Sequence, residues 1–430
     1  MESELVGGRE IFNHTLSDLV PPGRSDRKLL LAFPFIGEFC ARLFSGDGEE
    51  ISPEDYIFVN YPVFEETYQG VPYTRHSAVH ELPAERRVLP WTNDRNWYSD
   101  PGPTLTVTDD DAIHVQTSDG HTVMRTYDGG RTWDDLQVTR VVNAVLRDGT
   151  FLAVESEDED IVVYRSNDHG QTWQALGCTT QAKEGAQNGT IEQLRDGSLI
   201  VPIGISGQAA AGPLTVHAFR STDGGITWSA GAPICPGGEP QILELQSGRL
   251  LAFCRNNPRI PPSDLQRPFR NEGPWQLWQR FQGTRGLTSY TKRITLAESD
   301  DGGQTWHGQR PATFLLEEMH GGGVQLPDGR VVFLYTHRGP TYRGGERAKV
   351  SCDEGRTWRD ELYYMTATPS YPGYSGSCVL PPHLGDGKPG MILTVVGERS
   401  ERNWGSEGPP TSEGFKYMPR LQAIRWRPVD

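Results

Sequence analysis

Six short segments hold side chains that can move protons or meet charge. "GGEPQILELQSGRLLAFCR" carries Glu239 and Arg255, "EEMHGGGVQL" carries His320, and "YTHR" ends on Arg338. "GYSGS" supplies Tyr374, "MILTVVGER" closes on Arg399, and "QTSDGHTVMR" contains Asp119. Carboxyl, imidazole and phenol groups are the usual carriers of general acid–base work. Guanidinium groups bind anions through paired hydrogen bonds. His320 is followed by three glycines, which permit close backbone approach. It reads as a general base, a substrate contact or a satisfied structural histidine. No group of these residues has metal-ligand spacing, and no cofactor motif is present. The segments are far apart in sequence, so only a fold that gathers them makes a site.

The gathering element is a repeat. The pattern Ser/Thr-x-Asp-x-Gly-x-Thr-Trp recurs at Asp128, Asp168, Asp223, Asp301 and Asp353. A feature present five times is not one active site. The Asp side chain accepts backbone N–H bonds in a tight turn, the Gly permits positive φ, and Thr and Trp pack the turn. A second element is two apolar runs joined by an Asp-Gly type turn, a strong hairpin signal. It appears in "AVLRDGTFLAVES", "IEQLRDGSLIVPIG", "ILELQSGRLLAFCR" and "VQLPDGRVVFLYTHR". "LTVTDDDAIHVQ" is a degenerate copy and "SCVLPPHLGDGKPGMILTVVGER" one with a longer loop. Hairpins followed by further strands at this period predict an all-β, six-bladed β-propeller. "RLQAIRWRP" is the strand that closes the ring. Residues 1–95 lack the repeat. They form an irregular segment that packs on or completes the propeller of 96–430, supplying a missing outer strand or a seventh blade.

Propeller geometry brings the starts of the innermost strands and the ends of the second strands to one funnel. The starts are Asp100, Asn143, Asn188, Glu239, His320 and Tyr374. The ends run from Gln116 to Asp119, then Glu155, Gly204, Arg255, Arg338 and Arg399. Such a polar ring is what a polar ligand requires.

Composition narrows the partners. The net charge of −15 argues against nucleic acid, whose phosphates need clustered Lys and Arg. The apolar run "KLLLAFPFIGEFCARLF" contains Glu38 and Arg42 and is shorter than the ~20 residues of a membrane span. No secretory leader is visible at "MESELVGGRE", so the expected location is cytoplasmic, or secreted or periplasmic if a leader has been removed ahead of an added Met. The six cysteines have no CxxC spacing; Cys254 and Cys378 fall in expected strands and read as buried thiols. Oligomeric state is left open.

From about residue 98 to 430, the Asp boxes and hairpins resemble the sialidase (neuraminidase) superfamily. "GGEPQILELQSGRLLAFCR" resembles the sialidase segment in which a Glu precedes the inner strand and an Arg ends the next. The resemblance implies that Tyr374 is a nucleophile, Glu239 its base and Asp119 the catalytic acid. It makes Arg255 and Arg338 a clamp for a sugar carboxylate; His320, Asp100 and Asn188, from their funnel positions, are expected to be further substrate contacts. One departure is plain. "SDPGPTLTV" has no Arg where sialidases carry Arg-Ile-Pro, which leaves Arg95 or Arg399 to stand in. Asp119-Gly is either the acid's loop or a simple turn. The implied activity is an exo-acting glycoside hydrolase on a terminal, carboxylate-bearing sugar. Alternatives are a polysaccharide lyase working by β-elimination on a uronic-acid glycoside, and a non-catalytic glycan-binding propeller.

Overall fold

The computed structural model describes residues 103–117, 122–157, 160–179, 187–188, 190–206, 214–256, 293–313, 318–337, 345–359, 361–364, 371–400 and 418–429, with short strands inside 2–89. Nearly all of it is strand. The blades are six sheets, antiparallel but for one added strand in the fifth, packed on their neighbours through shared apolar clusters.

Blade 1 runs from Thr104–Val107 to Asp134–Gln137, blade 2 from Ala144–Val145 to Gln174–Thr179, and blade 3 from Gln187–Asn188 to Ala232–Pro236. Blade 4 runs from Gly238–Glu244 to His307–Pro311 and blade 5 from Glu318–Gln325 to Glu361–Tyr364. Blade 6 holds Tyr371–Val379, Ile392–Ser400 and Met418–Trp426. Its fourth strand is Glu85–Leu89, antiparallel to the last, with Leu421 opposite Leu89 and Arg425 opposite Glu85. Ala78–Glu81 adds a parallel fifth strand to blade 5. The upstream chain is thus woven into two blades.

The core lies between blades because each sheet is apolar on both faces. Ala144, Ile191, Leu199 and Ile203 pack blade 2 on blade 3. Leu194, Ile234, Ile242 and Ala252 pack blade 3 on blade 4. Phe253 and Phe333 stack at 5.0 Å between blades 4 and 5. The Asp-Gly hairpin turns close alike; the Leu146, Leu194, Leu245 and Leu326 amides all donate across the turn at 2.8 Å.

The Asp boxes join third strands to outer strands. In the first, Asp128 Oδ1 accepts the Arg131 and Thr132 amides at 2.8 Å, and Oδ2 accepts the Thr132 hydroxyl at 2.6 Å. Trp133 Nε1 donates to the Gly130 carbonyl at 3.1 Å. The same Thr hydroxyl to carboxylate bond recurs at Asp168, Asp223, Asp301 and Asp353. In Asp168 the Thr172 hydroxyl leads the bonds that hold the carboxyl at about 2. Because strands alternate in direction, third-to-outer turns lie at the end of the propeller opposite the inner-strand starts. The boxes are scaffold, remote from the funnel.

Of the cysteines, Cys235, Cys254, Cys352 and Cys378 are free, and all but Cys352 are buried. Cys235 touches Cys254 between blades 3 and 4, and that contact, with burial, raises the Cys254 thiol. Among the described residues no helix is long and apolar enough to cross a membrane.

Candidate active site

Blades 4, 5 and 6 open their inner strands with the same irregularity. The register slips between Gly238 and Gln241, between Met319 and Gly322, and between Pro372 and Ser375. These are β-bulges, which re-aim side chains at the end of a sheet. Glu239 sits in the first with φ 46° and His320 in the second with φ 55°. Left-handed backbone is unfavourable for both residue types and gathers at functional sites. Gly237, at φ 142°, leads into the first bulge; a Cβ there would lie 2.3 Å from the Arg255 carbonyl oxygen. Only glycine fits that approach.

The bulges and the hairpin beside the first bring four predicted residues together. Gly238 pairs with Arg255 across the hairpin, which carries Arg255 to Glu239. Arg255 Nη1 lies 2.7 Å from Glu239 Oε1, and His320 Nδ1 lies 2.8 Å from Glu239 Oε2. The phenol of Tyr374 also hydrogen-bonds the Glu239 carboxylate. The His320 and Tyr374 rings meet with centroids 3.5 Å apart at 42°. The His320 side chain is 2% exposed and that of Glu239 18%.

Charge follows from this packing. Burial pushes the Glu239 carboxyl up. His320, then Arg255 and the Tyr374 phenol, outweigh it and hold the group at about 2. Glu239 is therefore ionised at neutral pH. Of the two contacts assigned to the substrate, Arg255 is paired to Glu239 through one nitrogen, and His320 faces Glu239 and Tyr374. A guanidinium has five N–H donors, so Arg255 can hold Glu239 and still reach a ligand.

Asp119, Arg338, Asp100 and Arg95 lie outside the described residues, and Asn188 and Arg399 are described as backbone only. Arg399 stands opposite Tyr371 at the mouth of blade 6. Glu155 is bound by Arg140, whose guanidinium lies 3.6 Å from the Tyr164 ring centre. Asn143 takes a backbone role, accepting the Val154 amide on Oδ1 at 2.7 Å.

Below the cluster a cavity of about 350 Å³ follows the axis, lined by Thr104, Glu192, Gln241, Gly322 and Ser375 among others. Sequence reasoning missed Glu192, whose carboxyl burial pushes up to about 8. Its signal was available. Glu192 stands two residues before the turn leucine, where blades 2, 4 and 5 have Ala144, Leu243 and Val324.

A family model described as a BNR repeat-like domain matches residues 151–264. A comparison with curated proteins gives no match. Among solved structures, a protein of unknown function from Dyadobacter fermentans is 17% identical with TM-score 0.51, covering 80% of this chain and 98% of its own. An α-L-arabinofuranosidase from Fusarium graminearum, solved with an iminosugar inhibitor, is 12% identical with TM-score 0.49, covering 80% and 97%. A Trypanosoma rangeli sialidase, solved with the inhibitor DANA, is 14% identical with TM-score 0.44, covering 80% of this chain and 60% of its own. The chain is a six-bladed β-propeller, and its matched segment is BNR repeat-like.

Proposed function

We propose that this propeller is an exo-acting glycoside hydrolase in which Tyr374 and Glu239 form the nucleophile and its base. The observation that carries the reading is the Tyr374 phenol bonded to a carboxylate that neighbouring groups keep ionised. As the phenol oxygen bonds to the anomeric carbon, its proton passes to Glu239. The leaving oxygen takes a proton from a second acid, for which Asp119 is the proposed residue. Water then gives a proton to the Asp119 carboxylate and cleaves the glycosyl–tyrosine bond, with Glu239 returning the other proton to the phenolate. A neutral phenol suits an anomeric carbon that bears a carboxylate, since a second carboxylate would be repelled. Such tyrosine nucleophiles are a recognised exception to the paired-carboxylate scheme. Arg338 and Arg399, with the remaining donors of Arg255, are proposed to hold the sugar carboxylate.

The test is turnover of a panel of terminal sialosides, uronides and arabinofuranosides. Tyr374→Phe and Glu239→Gln are each expected to lower kcat/KM by about 10²–10⁴-fold. Intact turnover in both variants on a substrate the parent cleaves would remove this mechanism.

The contact of His320 with Tyr374 also suits a lyase, in which one abstracts the proton next to a uronate carboxylate. Elimination leaves an unsaturated product that absorbs ultraviolet light, and hydrolysis does not. A panel in which glycans bind and none is cleaved would favour a binding module.

A further inference from the structure

Behind the Tyr374 bulge lies a carboxyl group outside the mechanism above. Glu346, on the third strand of blade 5, is fully buried at 0% exposure. It stands directly opposite Thr336 on the second strand. Its Oε2 accepts the Thr336 hydroxyl at 2.8 Å. Its Oε1 accepts the hydroxyl of Ser375, which belongs to the neighbouring blade. Ser375 is 5% exposed, closes the bulge on the blade 6 inner strand, and immediately follows Tyr374. One residue on, Gly376 passes so close to blade 1 that a Cβ would lie 2.2 Å from the Pro103 carbonyl oxygen. The strand that presents Tyr374 is therefore held from both sides, by backbone contact with blade 1 and by Glu346 from blade 5.

A buried carboxyl is expensive unless hydrogen-bonded, and an apolar pair of similar size would stabilise the blade interface as well or better. What the polar contact adds is direction: a hydroxyl bonded to a carboxyl oxygen fixes its backbone in register. We infer that Glu346 is a positioning residue that, through Ser375, sets the place of Tyr374 against Glu239. The inference rests on the reading of Tyr374 as the nucleophile for its catalytic consequence. Its structural half stands alone. Thr336 serves as the internal contrast, because it bonds the same carboxyl and leads away from Tyr374.

The experiment uses the full chain labelled with ring-fluorinated tyrosine, the Tyr374 fluorine resonance being assigned with Tyr374→Phe. Ser375→Ala and Glu346→Gln are compared with Thr336→Val, and melting temperatures report any loss of fold. Ser375→Ala deletes one hydroxyl and leaves the carboxyl in place, so it serves where Glu346→Gln fails to fold. The inference expects the Tyr374 resonance to shift or broaden in Ser375→Ala and Glu346→Gln and to stay put in Thr336→Val. The double variant should move it no further than either single one. On a cleaved glycoside, kcat should fall by about 10- to 100-fold in Ser375→Ala, with KM changed by less than about threefold. An unmoved resonance in Ser375→Ala, or an equal shift in Thr336→Val, would overturn the positioning role. Absence of turnover in the parent would instead remove the hydrolase reading and leave the resonance to judge the inference.

Discussion

Two carboxyl groups near the axis are driven in opposite directions by what surrounds them. Glu239 is held at about 2 because His320, Arg255 and Tyr374 together outweigh its burial. Glu192 has burial alone acting on it and rises to about 8. Opposed shifts at two points along the axis separate a permanent anion from a group driven toward its neutral form. They also act oppositely on stability. For Glu239 the folded value lies below the ordinary 4.5, so its stabilisation is present above 4.5 and is lost as pH falls toward 2. For Glu192 the folded state retains a proton that the unfolded chain releases above 4.5, so stability declines as pH rises through 4.5 to about 8. Glu192→Gln should remove that decline. Denaturant titrations are expected to give similar stabilities for parent and variant near pH 4 and a more stable variant near pH 9. Parallel pH profiles would show that the carboxyl is not confined as described.

At the scale of elements, blades meet through a few buried side chains whose chemistry sets how tightly they close. His114, on the second strand of blade 1, is 2% exposed and lies edge-on to Phe151 of blade 2 at 5.7 Å. It stacks at 6.4 Å on His169, inside the second Asp box. Burial first, then Arg125 and His169, lowers its imidazole from 6.5 to about 4. The unfolded chain takes up a proton between those values and the folded one does not, so stability falls as pH drops through that window. The span corresponds to roughly 3 kcal/mol. His114→Phe should flatten the acid side of the stability profile between pH 4 and 6.5 while leaving stability at pH 8 nearly unchanged. An unaltered acid slope would place the proton uptake elsewhere. Such contacts were not readable in advance. The Asp box and the Asp-Gly hairpin are local, their bonds close within five residues, and the sequence states them directly. Glu239, His320 and Tyr374 were readable one step further, because the repeats align the starts of successive inner strands. His114, Glu192 and Glu346 were not. Their partners come from neighbouring blades, and which face of a strand meets which neighbour depends on the curvature of the ring. The bulges were also missed, although Gly237 and the three glycines after His320 mark the approaches that two of them need.

For the molecule as a whole, the decisive contact is the one that turns a row of sheets into a ring. Blade 6 takes three strands from the C-terminal part of the chain and its outer strand, Glu85–Leu89, from upstream of blade 1. Strand pairing thus ties the two ends of the repeat array to each other, across the blade that carries Tyr374. The central strands of that blade are well packed; Trp426 is 2% exposed and donates to the Thr394 hydroxyl at 2.9 Å. Without the upstream strand, the backbone groups of Met418–Trp426 on that side would become an open sheet edge, a template for pairing with another chain. Loss of closure also removes the restraint that keeps blade 6 against blade 1, where Arg131 of the first Asp box donates to the Gly385 carbonyl at 3.2 Å. A chain beginning at residue 96 should therefore melt at a lower temperature, over a broader transition, and self-associate on a sizing column. A peptide spanning residues 78–95, added in trans, should restore part of the melting temperature, and a scrambled peptide should not. If the shortened chain instead stayed monomeric and melted with the parent, the ring would be closed by contacts between blade faces, and the upstream strand would be an ornament on a structure already complete.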